Sequence, residues 1–348
     1  MLKYRAGKIL LLFISACLLM QAGCAASRDR KNDGNAHEET PDIRAEDSSL
    51  NEDEESDIMP DSKDFGLDSD LDAAQDAGAP DGGEVSSQQE TDSLIHPQGM
   101  TLETRFKVPD GYVRTEAEKG SLTYFLRNYP MKKDGSPVRL YNGKKKFSSN
   151  HAAVFALPIE NEDLQQCADS VMRVYAEYFW DTGQYERIAF HFVNGFLAEY
   201  TKWREGYRIQ VSGNEAVWTA SASYDDSYES FQKYLRIVFS YAGTLSMDSE
   251  SEAVSLSNIR AGDVFLMGGS PGHVVMLVDL SENAQGRKAF LLAQGYMPAQ
   301  EFHVLKNPRH ENDPWYYEEE VQYPFVTPEY TFEEGSLKRP GYEKLNQQ

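Results

Sequence analysis

The charge of this chain is concentrated in one stretch, and that decides which residues can build a core. Of a formal net charge of -22 over 348 residues, the segment from Arg28 to Asp92 holds 22 acidic and 5 basic residues, a net of -17. Phe65 is its single aromatic residue, and Asp, Glu, Ser, Gly and Ala dominate the rest. Such a stretch buries too little apolar surface to offset the entropy lost on ordering, and its like charges extend it. Residues 24–95 therefore read as a disordered acidic tether. The acidity argues against nucleic acid or an anionic lipid surface as a partner. Asp68, Asp70 and Asp72 alternate as in a calcium loop. Ala73 and Ala79 stand where that loop needs Gly and a bidentate Glu, so the run reads as solvated charge.

Ahead of the tether, Lys3, Arg5 and Lys8 precede an apolar run from Ile9 to Met20, which ends in Gln21-Ala22-Gly23-Cys24. A basic start, a short apolar core and a small-residue exit read as a secretory signal over residues 1–23, short for a membrane span. The exit resembles the processing site of bacterial lipoproteins, with Gln21 where that motif usually carries Leu. The resemblance implies Cys24 as the lipid-attachment residue. Two or three acyl chains would then hold the chain to a membrane on its extracytoplasmic side. A plain signal cut near Ala26 and an uncleaved anchor are the other readings of the same residues.

From about Leu94 the composition changes. All four Trp residues fall here, and Gly and Pro punctuate short apolar runs, which suits one globular domain over residues 96–348. Ala152–Leu157 and Arg187–Val193 read as strands. Helical spacing runs from Asn161 to about Asp181 through Leu164, Cys167, Val171, Val174 and Tyr178, with Asp163 and Gln166 as a capping pair. A second amphipathic helix spans Ser227 to about Ala242. Strands follow at Asp263–Met267, His273–Leu280 and Lys288–Gln294, the last two joined by a polar hairpin loop. Helices first and strands later predict an α+β fold with an antiparallel sheet.

Once the signal is removed and Cys24 acylated, Cys167 is the one free thiol left. It falls in the first turns of its helix, where unpaired amides and the dipole favour a thiolate, although Glu162 and Asp163 oppose that. It also lies on the apolar stripe, as a small buried hydrophobe would. Thiol catalysis needs an imidazole as general base and a third group that fixes its tautomer. His273 opens a strand after the Gly-rich loop Gly268-Gly269-Ser270-Pro271-Gly272. Gln294 closes the next strand, and its amide oxygen can accept from the ring. Asp279 is the competing orienting group, but it lies roughly 20 Å further along the strand. His151 reads as a structural residue at a strand start, and His191 as core. His303 and His310 have no acidic or Cys partner close in sequence. A metal site from His151, His191 and His303 has no supporting spacing, so no cofactor or metal is expected. Trp203, Tyr207 and Trp218 read as half-buried packing, with a sugar-stacking platform as the alternative.

The order Cys167, His273, Gln294 resembles the papain-like cell-wall amidohydrolases of the NlpC kind. In those proteins a Cys begins a helix, a Gly-Asp strand and loop lead to a His, and a polar residue follows on the next strand. Gln165-Gln166-Cys167-Ala168-Asp169 departs from their usual Asp-Cys-Ser-Gly. The resemblance implies a papain-like helix packed on the sheet, with Cys167 as nucleophile, His273 as base and Gln294 as orienting group. The Cys167 amide would help hold the oxyanion, with Gln165 or Gln166. At a closer level the chain resembles the bacterial domain of unknown function 4846 from Gly120 to Pro340. That rests on Leu126-Arg127-Asn128, Asp163 to Asp169, Tyr241 to Leu245, Gly262-Asp263-Val264-Phe265 with Gly268 to His273, and Ala293 to Gln300. It continues through His303 to Pro308 and Pro314-Trp315-Tyr316. The expectation is a cell-surface cysteine hydrolase or amidase acting on envelope peptide or peptidoglycan. The alternative is a catalytically inactive envelope domain that binds a ligand or partner.

Overall fold

A computed structural model of the chain describes residues 93–343. The signal segment, Cys24 and almost all of the acidic tether lie outside the described residues. In chain order the elements begin with α1 (Leu102–Arg105), β1 (Tyr112–Arg114), α2 (Leu122–Asn128), β2 (His151–Val154) and α3 (Cys167–Asp181). Next come β3 (Ala189–His191), β4 (Leu197–Glu199), α4 (Tyr200–Arg204), β5 (Tyr207–Ser212), β6 (Glu215–Ala220), α5 (Tyr228–Tyr241) and α6 (Thr244–Ser249). Strands follow, with short 3-10 turns between them: β7 (Ser251–Ala253), β8 (Val264–Met267), β9 (His273–Asn283), β10 (Lys288–Gln294) and β11 (His303–Leu305). The last four are β12 (Tyr316–Tyr317), β13 (Phe325–Val326), β14 (Thr331–Phe332) and β15 (Leu337–Pro340).

The fold is mixed α and β with antiparallel sheets. The main sheet runs β2-β11-β10-β9-β8-β15-β7, with β1 also on β9 and β12 also on β10. β3-β4, β5-β6 and β13-β14 are separate two-stranded hairpins. Val274 to Val278 and Ala289 to Ala293 are continuous apolar runs, and every one of these residues is fully buried. Antiparallel sheets often alternate apolar and polar residues because one face meets water; here both faces of the central strands are covered.

Strand register tells the two faces apart. Phe265 pairs with Val275, and Ala293 pairs with Met276, so Phe265, His273, Val275 and Gln294 share one face. The C-terminal segment covers that face: Phe265 meets Phe325 at 4.4 Å and Phe332 at 5.9 Å between ring centroids. α3 packs on the other face, where Tyr175 donates its hydroxyl to the Gly262 carbonyl at 3.0 Å.

α3 begins at Cys167, six residues later than its apolar spacing predicts. The reason is local. Asp163 Oδ1 accepts the backbone N–H of Ala299 at 2.6 Å and the side-chain amide of Gln166 at 3.1 Å. It ties the preceding loop to the segment after β10 instead of capping a helix. The cap is made by Asp169, whose Oδ2 accepts the Gln166 N–H at 3.0 Å, the back-reaching half of a capping box.

Candidate functional site

Starting α3 at Cys167 puts the thiol on the helix's first residue, at the rim of the sheet. A cleft of about 390 Å³ opens there between α3, the start of α6 and the 269–272 loop, and Cys167, Gln166, Thr244 and Gly272 are on its wall. Cys167 itself is 6 % exposed. Burial pushes its thiol up to about 11 and nearby Asp169 pushes the same way, against the amides of Ala168, Val274 and Cys167 itself. Asp169 is buried, which pushes its carboxyl up to about 8 against backbone amide donors.

Gly295 explains how the helix comes so close. A Cβ there would stand 2.2 Å from Ser170 Oγ and 2.8 Å from the Gln166 carbonyl oxygen. Only glycine lets β10 run out beneath the first turn of α3.

His273, the first residue of β9, is 2 % exposed. Its Nε2 lies 2.7 Å from Gln294 Oε1, the partner expected from the sequence. Tyr296, Tyr330 and Phe332 surround the ring at centroid distances of 4.8, 5.0 and 6.1 Å. Burial lowers its pKa to about 4, against the support of Gln294 and Glu329. Cys167 and His273 thus stand at the same end of the sheet and approach β9 from opposite faces. The sulfur meets the amide of Val274, the neighbour of His273, and no hydrogen bond joins it to the ring among the described residues. Near pH 7 both groups are neutral.

Behind Gln294 lies a cluster that the sequence did not suggest. Gln294 Nε2 donates to Glu329 Oε2 at 2.5 Å, and Lys146 Nζ reaches the same oxygen at 2.5 Å. Ser148 Oγ donates to Glu329 Oε1 at 3.1 Å, and His303 Nε2 stands 3.9 Å away. Burial would raise the Glu329 carboxyl, but His303 and Lys146 outweigh it and hold it at about 2. Glu329 lies on the connection between β13 and β14, with no local pattern to mark it.

The other residues singled out from the sequence have definite places. Gln165 is fully buried and its Oε1 accepts from Arg173 at 2.8 Å, which leaves Gln166 as the side-chain amide on the cleft wall. Asp279 does not orient His273. It is fully buried and accepts from Arg114 Nε and Arg127 Nε, each at 2.7 Å. His151 Nε2 is 3.1 Å from the Ser136 carbonyl, a structural contact. His191 is only partly buried, and its Nδ1 pairs with Glu250 at 2.7 Å. His303 is buried with Nδ1 2.8 Å from the Glu301 carbonyl, and His310 pairs with Glu320 at 2.9 Å. Trp203 is buried with its indole N–H on Ser230, and Trp218 packs on Phe196. Tyr207 lies exposed on β5. No group of three His, Cys, Asp or Glu side chains among the described residues is placed to hold a metal ion. None of the described helices is long and apolar enough to cross a membrane.

No curated protein and no solved structure matches the chain in comparisons with known proteins. A family model does match, and its span runs from the start of α1 into β15 and takes in every residue of the site. The model is that of the domain of unknown function 4846, it covers residues 102–339, and the chain belongs to that family.

Proposed function

We propose that the chain is a cysteine hydrolase of amide bonds, held at the cell envelope through Cys24 and acting on envelope peptide or the peptide stems of peptidoglycan. The observation that carries this reading is the His273–Gln294 hydrogen bond of 2.7 Å, at the end of the sheet where Cys167 begins α3 beside a cleft. A papain-like relation between α3 and the sheet belongs to the same proposal. With Nε2 engaged by Gln294, Nδ1 is the ring nitrogen left to take a proton.

In the reaction, His273 Nδ1 removes the Cys167 proton as the sulfur bonds to the substrate carbonyl carbon. The oxyanion is held by the backbone N–H of Cys167 and the side-chain amide of Gln166. His273 then returns the proton to the departing amine as the C–N bond breaks, which leaves a thioester on Cys167. Water, deprotonated by the same imidazole, attacks the thioester. The acid leaves and the thiol regains its proton. Because thiol and imidazole are neutral, unjoined and on opposite faces of β9 in the ligand-free chain, the reaction also requires the His273 ring to come round the end of the sheet to the cleft when substrate binds. Catalytic hydrogen bonds in empty sites are often long and tighten only in the complex.

A second reading rests on that separation. A thiol 6 % exposed and pushed up to about 11 suits a domain that holds an envelope peptide without cutting it. One experiment distinguishes the two. Incubate the full chain with peptidoglycan fragments and follow new amino and carboxyl termini by mass spectrometry. New termini that vanish in Cys167→Ala and His273→Ala support the hydrolase. Fragments that bind and stay intact overturn it in favour of the binding domain.

A further inference from the structure

Gln294 stands between the His273 imidazole and a carboxylate outside the Cys–His–Gln set. Gln294 is the only side chain hydrogen-bonded to His273 among the described residues, through Nε2 at 2.7 Å. An amide presents an oxygen that accepts or a nitrogen that donates, and the two ends have nearly the same shape. If the amide turned over, His273 would have to accept at Nε2. It would then carry its proton on Nδ1, the wrong tautomer for a base. The fold has to prevent that.

From the 2.5 Å contact of Gln294 Nε2 with Glu329 Oε2, the 2.5 Å contact of Lys146 with the same oxygen and the 3.1 Å bond from Ser148, we infer that Glu329 is the positioning residue that sets the His273 tautomer. An ionised carboxylate only accepts. Lys146, largely buried against it, keeps it ionised. So Gln294 must turn its NH2 to Glu329 and its oxygen to His273. An oxygen there only accepts, so Nε2 carries the hydrogen. A neutral imidazole has one such hydrogen, and Nδ1 is left with its lone pair free. The backbone also holds the carboxylate in place, because Tyr296 donates its hydroxyl to the Glu329 carbonyl at 3.3 Å. That a free Nδ1 serves as a base rests on the proposed hydrolase; the tautomer assignment does not.

The test reads the tautomer without substrate. The full chain is labelled with 15N-histidine, and the His273 ring signals are assigned by their loss in His273→Gln. A protonated Nε2 with a bare Nδ1 at pH 7 is the expected wild-type result. A proton on Nδ1, or on both nitrogens, overturns the inference, and this outcome needs no variant to fold. Next, Glu329 and Lys146 are both changed to Met, which removes the acceptor without leaving a buried charge. Losing one charge-assisted hydrogen bond should shift the tautomer ratio about tenfold toward Nδ1–H. If that double variant does not fold, Glu329→Gln keeps size and polarity but can also donate, and a smaller shift in the same direction is expected. An unchanged ratio in a folded variant overturns the role of Glu329. Absent peptide cleavage would sink the hydrolase and leave this assignment standing, so the two failures are distinguishable.

Discussion

His273 and Gln294, 21 residues apart, are joined by a hydrogen bond of 2.7 Å between the first residue of β9 and the last of β10. Both are buried, so the bond has no water to replace it. Gln294→Leu leaves the imidazole N–H and the Glu329 carboxylate without their shared partner. The unpaired imidazole N–H costs about 1–3 kcal/mol, and Glu329, still held by Lys146 and Ser148, loses one of its donors besides. The expected loss of unfolding free energy is roughly 2–4 kcal/mol, read as a lower urea midpoint at unchanged slope. A loss within about 0.5 kcal/mol, typical of a surface site, would mean that the bond is not formed in solution.

Two buried groups give the domain opposite pH dependences. The His273 pKa is lowered from 6.5 to about 4, so its neutral form is favoured by folding. Its contribution is complete above pH 6.5 and is lost as pH falls to about 4, roughly 3 kcal/mol in all. The Asp169 carboxyl is raised from 3.8 to about 8, so folding favours its protonated form. That contribution is complete below pH 3.8 and is lost as pH rises through about 8. Urea unfolding at a series of pH values separates the two. The two windows overlap between pH 4 and 6.5 with opposite slopes, so His273→Phe should make stability fall with rising pH across that range, and Asp169→Asn should remove the fall between pH 3.8 and about 8. Profiles parallel to wild type in both variants would contradict the burial argument. Glu329, held at about 2, loses its contribution as pH falls from 4.5 toward 2, for the most part below the His273 window.

Gly295→Ala probes how α3 is seated. Its methyl would stand 2.2 Å from Ser170 Oγ and 2.8 Å from the Gln166 carbonyl. The hydroxyl can turn away, but the backbone oxygen cannot without moving the first turn of the helix. Overpacking of this kind costs about 1–3 kcal/mol. Because the displaced turn begins at Cys167, the variant should also alkylate faster with iodoacetamide than wild type. A domain as stable as wild type, with unchanged thiol reactivity, would show that the contact is not tight.

How much of this was legible in the sequence depended on how local each cause is. β8, β9 and β10 were readable because strands buried on both faces are written as unbroken apolar runs. α5 was readable because one stripe of Phe231, Tyr234, Leu235, Val238 and Phe239 faces the core. The start of α3 was misplaced because Asp163, a plausible cap from its neighbours alone, bonds instead to Ala299, 136 residues away. The β5-β6 hairpin went unread although Tyr207, Ile209 and Val211 alternate ahead of Gly213. There Tyr207 and Trp218 read as half-buried packing, and β5 is short with half of its residues exposed. Cys167, His273 and Gln294 stood out through residue type and order, and the sequence placed His273 and Gln294 at strand ends but Cys167 six residues inside its helix. It could not say which face of the sheet each side chain takes, since that depends on strand register. Glu329 and Lys146 left no trace: a carboxylate 35 residues beyond Gln294 gains its role only when the chain folds back over the sheet.

The central claim is that Cys167 is a nucleophile assisted by His273. The most direct measurement uses an activated ester of a short peptide and reads the intact mass of the full chain over time at pH 7. The account predicts one acyl group on Cys167, absent in Cys167→Ala and formed about a hundredfold more slowly in His273→Ala, the scale of lost general-base assistance. Acylation of Cys167 at equal rates with and without His273, or only after denaturation, would contradict it.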